Sequence, residues 1–177
     1  MRSHSLVSLF SLVIGVGFYI GDVFLYHLSA SLALTSYGVF ATFWMLWVIH
    51  CLAELPYRQN ILLIVGMTLV VWVHSVQSVM EVLLPLLVLW LWAMTYHSFF
   101  VISNLRQKRV FMIFSYGILL CLPHLKFALQ MDSPWLYMWQ HRWVTVWGIN
   151  VILYLLLGER LFWNIQQRMK GVYAVHH

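Results

Sequence analysis

Long apolar runs separated by short polar connections dominate the chain. An α-helix needs about 20 apolar residues to cross the roughly 30 Å hydrocarbon core of a bilayer. Six such runs occur, at about residues 6–26, 30–53, 60–80, 82–103, 110–130 and 143–164. Strands of membrane barrels alternate in polarity over roughly ten residues, whereas residues 83–91 are apolar throughout. The pattern therefore predicts an all-α, polytopic membrane protein that forms one bundle of six transmembrane helices.

The third and fourth runs follow each other almost without a break. Only Glu81 and Pro85 interrupt about forty residues there. One straight helix of that length would reach about 60 Å, so two spans are required. With the fourth span beginning near residue 82, Pro85 falls in its first turn, where proline is tolerated.

Composition excludes a water-soluble fold. The chain is 63% hydrophobic and only 8% charged, against about 25% charged residues in an ordinary soluble domain. So few charges cannot cover a surface with water-compatible groups. The net charge of +5 does not indicate nucleic acid, because the basic residues lie at the ends of apolar runs, where they orient a membrane protein.

The distribution of basic residues predicts the orientation in the membrane. With both termini in the cytoplasm, only Lys126 and Arg142 lie outside, and the other eight of the ten basic residues lie inside. This positive-inside bias requires an even number of spans. The inside set is Arg2, Arg58, Arg106, Lys108, Arg109, Arg160, Arg168 and Lys170. We expect a bacterial inner-membrane protein whose partners are the lipid bilayer and either a second copy or a larger membrane complex.

Histidines within the spans carry the first functional hypothesis. Ionisable side chains in hydrocarbon are costly, so they face the bundle interior and mark sites. Counting 1.5 Å per residue places His74 and His124 about 9 Å below the outer face, and His97 about 9 Å above the inner face, near which His50 also lies. Neutral imidazole is a good iron ligand. Each layer is therefore a candidate pair of axial ligands for a b-type haem.

Two histidine layers on six helices resemble the general plan of the cytochrome b561 family. In that plan the second span pairs with the fourth and the third with the fifth. The resemblance covers the span count and four histidines, and it implies the pairs His50 with His97 and His74 with His124. The function that it implies is a haem-binding redox or quinone-linked membrane subunit.

A second group of polar residues lies near the predicted outer face. The third span carries His74, Gln77, Ser78 and Glu81 at positions i, i+3, i+4 and i+7, which is one face of a helix. The first and sixth spans add an acid and an amide, each followed by a tyrosine four residues later. These positions predict a polar cavity lined by Asp22, Gln77, Glu81, Asn150 and Tyr154.

Two other functions remain open. One is that of a non-catalytic membrane component that assembles with a larger complex, in which polar residues hold helices together. Alternatively, the polar cavity predicts an ion or small-molecule transporter, or a ligand-capture subunit. Motifs of zinc proteases, serine hydrolases and phosphate-binding loops are missing from the sequence, so a hydrolase, kinase or ATPase is not indicated. Cys51 and Cys121 are too few for a disulfide framework or a cysteine-rich metal site.

Overall fold

The described part of the chain is helical. The computed structural model describes residues 2–31, 42–55, 57–74, 78–99, 105–122 and 143–174, and no strand occurs in these ranges. The helices are α1 (Arg2–Ser31), α2 (Phe43–Glu54), α3 (Tyr57–His74), α4 (Val79–Phe99), α5 (Leu105–Cys121), α6 (Trp143–Leu153), a π-helical turn (Tyr154–Gly158) and α7 (Glu159–Ala174). The all-α fold class is therefore confirmed.

Three helices in the described ranges are long and apolar enough to cross a membrane. They are Val7–Leu28, Val79–Phe99 and Val144–Arg168, the last of which includes the π turn. Phe43–Glu54 and Asn60–His74 are apolar but shorter. The predicted second and fifth spans run through residues 32–41 and 123–130, which lie outside the described part. Within the described ranges, the structure thus supports a helical membrane protein with three candidate spans, where the sequence predicts six.

The outer surface of the bundle is apolar. On α1, Val13, Ile20 and Phe24 are 60%, 63% and 68% exposed, and Leu156 in the π turn is 65% exposed. Large contiguous apolar patches are rare on soluble monomers and mark membrane or protein contacts. This surface is the one expected of helices that face lipid.

The helix α2 forms the centre of the bundle. Every side chain from Leu46 to Leu52 is buried, and α2 contacts α1, α3, α4, α5 and the π turn. A helix that is apolar all round is a buried helix. Its indole Trp47 is fully buried and donates from Nε1 to the Ser11 carbonyl at 2.9 Å. The two ends of α2, called here the Thr42 end and the Glu54 end, therefore define the two ends of the bundle.

The boundary between the third and fourth predicted spans needs correction. The helix α3 ends at His74. The helix α4 begins at Val79, because Ser78 and Glu81 form a capping box. Ser78 N–H donates to Glu81 Oε2 at 2.9 Å, and Glu81 N–H donates to Ser78 Oγ at 3.3 Å. Pro85 consequently lies in the second turn of α4, not the first. The prediction of one helix face carrying both His74 and Glu81 is wrong, since the two residues belong to different helices.

Candidate functional site

A buried polar cluster surrounds the first turn of α2, at the Thr42 end. Asp22 Oδ2 accepts from Trp44 N–H at 2.8 Å, and Asn150 Oδ1 accepts from Thr42 N–H at 2.9 Å. The Thr42 hydroxyl hydrogen-bonds to the Tyr116 hydroxyl. Helices α1, α5 and α6 thereby satisfy amide and hydroxyl groups that have no partner within α2. A carboxylate at this end also matches the positive end of the helix dipole.

Two residues of the predicted cavity are therefore helix caps. Asp22 is 6% exposed and Asn150 is fully buried. The amide of Asn150 also donates to the Val146 carbonyl at 2.9 Å. Such contacts hold helices together where water is absent. The structure gives these side chains a packing role at the place where the sequence predicted an open cavity.

The remaining residues predicted near this end are dispersed. His74 is the exposed last residue of α3, and its ring meets the Tyr19 ring edge to face at 6.0 Å between centroids. Glu81 is exposed and is engaged in the cap of α4. Gln77 and His124 lie outside the described residues. The pairing of His74 with His124 therefore stays a prediction.

The two histidines of the second predicted pair, His50 on α2 and His97 on α4, lie in different surroundings. His50 is 6% exposed and stacks on Trp47 at 5.8 Å between ring centroids. His97 Nε2 lies 3.1 Å from the Leu52 carbonyl oxygen. The two imidazoles line different clefts. The structure does not bring them together as axial ligands, and the described residues include no group of three metal-ligating side chains.

One cleft, called here the donor cleft, lies between α5 and the segment formed by the π turn and α7. Its volume is about 760 Å³. It is lined by His50, Leu105, Lys108, Arg109, Tyr154, Leu155, Leu156, Glu159, Arg160 and Trp163. Its charged lining consists of one ammonium, two guanidinium groups and a single carboxylate. Most of its polar groups therefore offer hydrogen-bond donors to an occupant.

The π turn shapes this cleft. Glu159 N–H donates to the Tyr154 carbonyl, which is the i+5 bond of a π turn and brings the two residues nearer to one face of the helix. A regular α-helix would separate them by about 140°. Gly158 permits this turn to pack closely, because a Cβ atom there would lie 3.0 Å from the Tyr154 ring. Turns of this type recur at functional sites.

Two cations of the donor cleft form ion pairs, and the third forms none with another described residue. Arg109 donates to Glu159 Oε2 from Nε at 3.2 Å and from Nη2 at 3.1 Å. Lys108 pairs with Glu54, and its Nζ lies 5.7 Å from the centroid of the Trp163 ring. Arg160 is exposed and forms no ion pair with another described residue. Its guanidinium is thus the cation best placed to meet an anionic occupant.

The other cleft, called here the acceptor cleft, lies at the ends of α2 and α4 and the start of α3. Its volume is about 510 Å³. It is lined by Leu52, Glu54, Leu55, Asn60, Trp90, Ala93, Met94, His97 and Ser98. The pair formed by Glu54 and Lys108 lies between the two clefts, since its carboxylate lines the acceptor cleft and its ammonium lines the donor cleft.

Several of these residues were not singled out from the sequence. The basic residues near 108 served there only to orient the chain, and Glu54, Asn60 and Glu159 carried no hypothesis. The available signal for Glu54 and Glu159 was the presence of acids at a basic end of the bundle, where each acid has a cation partner. Comparison of this chain with protein-family models, with curated proteins and with solved structures finds no match.

Proposed function

We propose that this chain is a small integral membrane protein that captures a membrane amphiphile with a phosphate head group in the donor cleft. The observation that carries the proposal is the clustering of three cationic side chains, a phenol and an imidazole beside exposed leucines. This function belongs to the ligand-capture class. A second copy of the chain or a larger complex is not required for it.

The proposal includes the six-span topology with both termini in the cytoplasm of a bacterium. Eight of ten basic residues then lie on the cytoplasmic side of the inner membrane, which agrees with the positive-inside rule. In that orientation the Glu54 end of α2 faces the cytoplasm. The donor cleft opens at the inner leaflet, at the depth of lipid head groups.

A phosphate head group fits the polar side of the cleft. Phosphate oxygens accept charge-assisted hydrogen bonds from guanidinium and ammonium groups, and these bonds are about twice as strong as neutral ones. Arg160 supplies an exposed guanidinium at the mouth, and the Tyr154 hydroxyl supplies a further donor inside the lining. An acyl or isoprenoid chain fits the apolar side, because Leu155 and Leu156 line the cleft and are exposed on the bundle surface.

The haem hypothesis has weaker support than ligand capture. His50 and His97 face separate clefts, and His97 Nε2 is within hydrogen-bond distance of a backbone carbonyl. The hypothesis then depends on His74 and His124, and only His74 lies in the described ranges. The donor cleft, by contrast, is formed entirely by described residues.

Lipid retention in nanodiscs tests the proposal. The protein is placed in phosphatidylcholine nanodiscs that contain equal small amounts of phosphatidic acid and diacylglycerol with the same acyl chains. Native mass spectrometry should show one retained phosphatidic acid and no retained diacylglycerol. Equal retention of the two lipids contradicts the proposal. Excess inorganic phosphate should not displace the lipid if the acyl chains of the lipid contribute to binding.

Arg160→Gln is the informative variant. Removing one charge-assisted hydrogen bond should lower the retention of phosphatidic acid by about tenfold. Arg168→Gln is the matched control, because Arg168 is an exposed arginine on the same helix that does not line the cleft. Retention should be unchanged in the control. An equal loss in both variants would indicate general attraction of anionic lipid to a basic surface.

A further inference from the structure

We infer that the acceptor cleft binds the primary ammonium group of a small amine with an apolar body. The inference concerns a site separate from the phosphate site and does not depend on it. It follows from the groups that line the cleft, which include a carboxylate, an amide and several apolar side chains.

A buried amide oxygen supplies the first observation. Asn60 is 2% exposed, and its Nδ2 donates to the Leu55 carbonyl at 3.1 Å. Its Oδ1 is buried and has no hydrogen-bond partner among the described residues. Buried polar atoms are nearly always hydrogen-bonded, and leaving one unsatisfied is costly. Because Asn60 lines the cleft, an occupant that donates a hydrogen bond would satisfy this oxygen.

The charge of the cleft supplies the second observation. The Glu54 side chain is 12% exposed and lines the cleft while it pairs with Lys108. A carboxylate has about four acceptor positions, so one lysine leaves acceptor capacity for another donor. The helices α2 and α4 both end beside the cleft, and α3 begins there. Two negative dipole ends meet one positive end, and the balance favours a cation.

The apolar walls and the volume define the rest of the ligand. Leu52, Trp90, Ala93 and Met94 line the cleft, whose volume of about 510 Å³ lies within the range of small-molecule sites. A bare metal ion does not fit this lining, since the described residues include no group of three metal-ligating side chains. A neutral alcohol would satisfy Asn60 without matching the charge of Glu54. A primary ammonium with a short apolar substituent matches both.

Titration calorimetry on the purified full-length protein in a neutral detergent tests the inference. The probe is 2-phenylethylamine, and the comparison compounds are 2-phenylethanol and the N,N,N-trimethyl form of the amine. The primary amine should bind about tenfold more tightly than the alcohol, because it makes charge-assisted hydrogen bonds. It should also bind more tightly than the trimethyl form, which carries the charge but donates no hydrogen bond. Equal affinity for the amine and the alcohol would overturn the inference.

Two variants locate the binding within the cleft. Asn60→Leu should weaken amine binding by about tenfold, because the variant removes the amide acceptor. Ser98→Ala is the control: its hydroxyl lines the cleft but already donates to the Met94 carbonyl at 2.9 Å, so binding should be unchanged. An unchanged affinity in Asn60→Leu also overturns the inference. If that variant does not fold, the comparison of the three ligands on the unmodified protein tests the inference by itself.

Discussion

The donor cleft and the acceptor cleft lie at the same end of the bundle but have opposite chemistry. The donor cleft has three cations and one carboxylate in its lining, whereas the acceptor cleft presents a carboxylate and a buried amide oxygen. They share one ion pair, in which Lys108 faces one cleft and Glu54 faces the other. A single pair of side chains therefore separates a site for anions from a site for cations.

Helix direction explains part of this contrast. The helix α5 begins at Leu105, which lines the donor cleft, so the positive end of its dipole is there. The helices α2 and α4 end beside the acceptor cleft and place their negative ends there. Neighbouring antiparallel helices thus bring opposite dipole ends to one face of a membrane protein.

The largest effect on this contrast is expected from Glu54→Gln. The variant removes the carboxylate of the acceptor cleft, so the affinity for 2-phenylethylamine should fall about tenfold. The same change releases Lys108 in the donor cleft, so the retention of phosphatidic acid should rise about threefold, a small gain because the pair is partly exposed. Calorimetry and native mass spectrometry on the same preparation measure both changes.

Glu159→Gln is the control for this reciprocal change. It releases Arg109, which faces only the donor cleft, so lipid retention should rise while amine affinity stays constant. A parallel fall of both activities in Glu54→Gln, with the thermal unfolding temperature unchanged, would contradict the separation of the two clefts.

The all-α class was predictable because a membrane imposes strong constraints on sequence, whereas the six-span arrangement stays a prediction. Backbone groups in hydrocarbon must be satisfied within a helix, so each apolar run indicates a helix. The error at the start of α4 has a specific cause. Ser78 and Glu81 fit both a polar helix face and a capping box, since each motif places polar residues three positions apart. Only the structure distinguishes the two, through the paired hydrogen bonds of the box.

The clefts were less predictable because the depth of a residue in the membrane does not determine the side of the helix on which its side chain lies. Counting along each span gave the height of His50 and His97 but not the side of α2 on which each lies. The π turn adds a second difficulty, since it rotates α7 relative to the face expected from a regular helix. Tyr154 therefore lies nearer to the face of Glu159 than a regular helix would place it. The Asn60 side-chain N–H donates to the Leu55 carbonyl, which leaves the amide oxygen as the acceptor. Spacing along the sequence does not reveal this contact.

A smaller effect is expected from Tyr154→Phe. The substitution keeps the ring that packs against Phe162 at 6.0 Å between centroids and removes only the hydroxyl. Loss of one neutral hydrogen bond to the head group should lower the retention of phosphatidic acid by about fivefold. Amine affinity should not change, because Tyr154 does not line the acceptor cleft. Retention equal to that of the unmodified protein would show that the hydroxyl does not contact the head group.

The smallest effect is expected from Gly158→Ala, with Gly148→Ala as its matched control. Both changes add the same methyl group, which raises helix propensity by about 1 kcal/mol in an α-helix; Gly148 lies in α6 and Gly158 in the π turn. A Cβ atom at Gly158 lies 3.0 Å from the Tyr154 ring, whereas one at Gly148 meets nothing within 4 Å. Only Gly158→Ala should displace Tyr154, and it should lower lipid retention by about twofold. Because an added Cβ atom meets the Tyr154 ring only in Gly158→Ala, a difference between the two variants in native mass spectrometry reports on the position of that ring in the donor cleft. Equal retention would mean that the ring tolerates the shift and that the π turn is not what positions the head group.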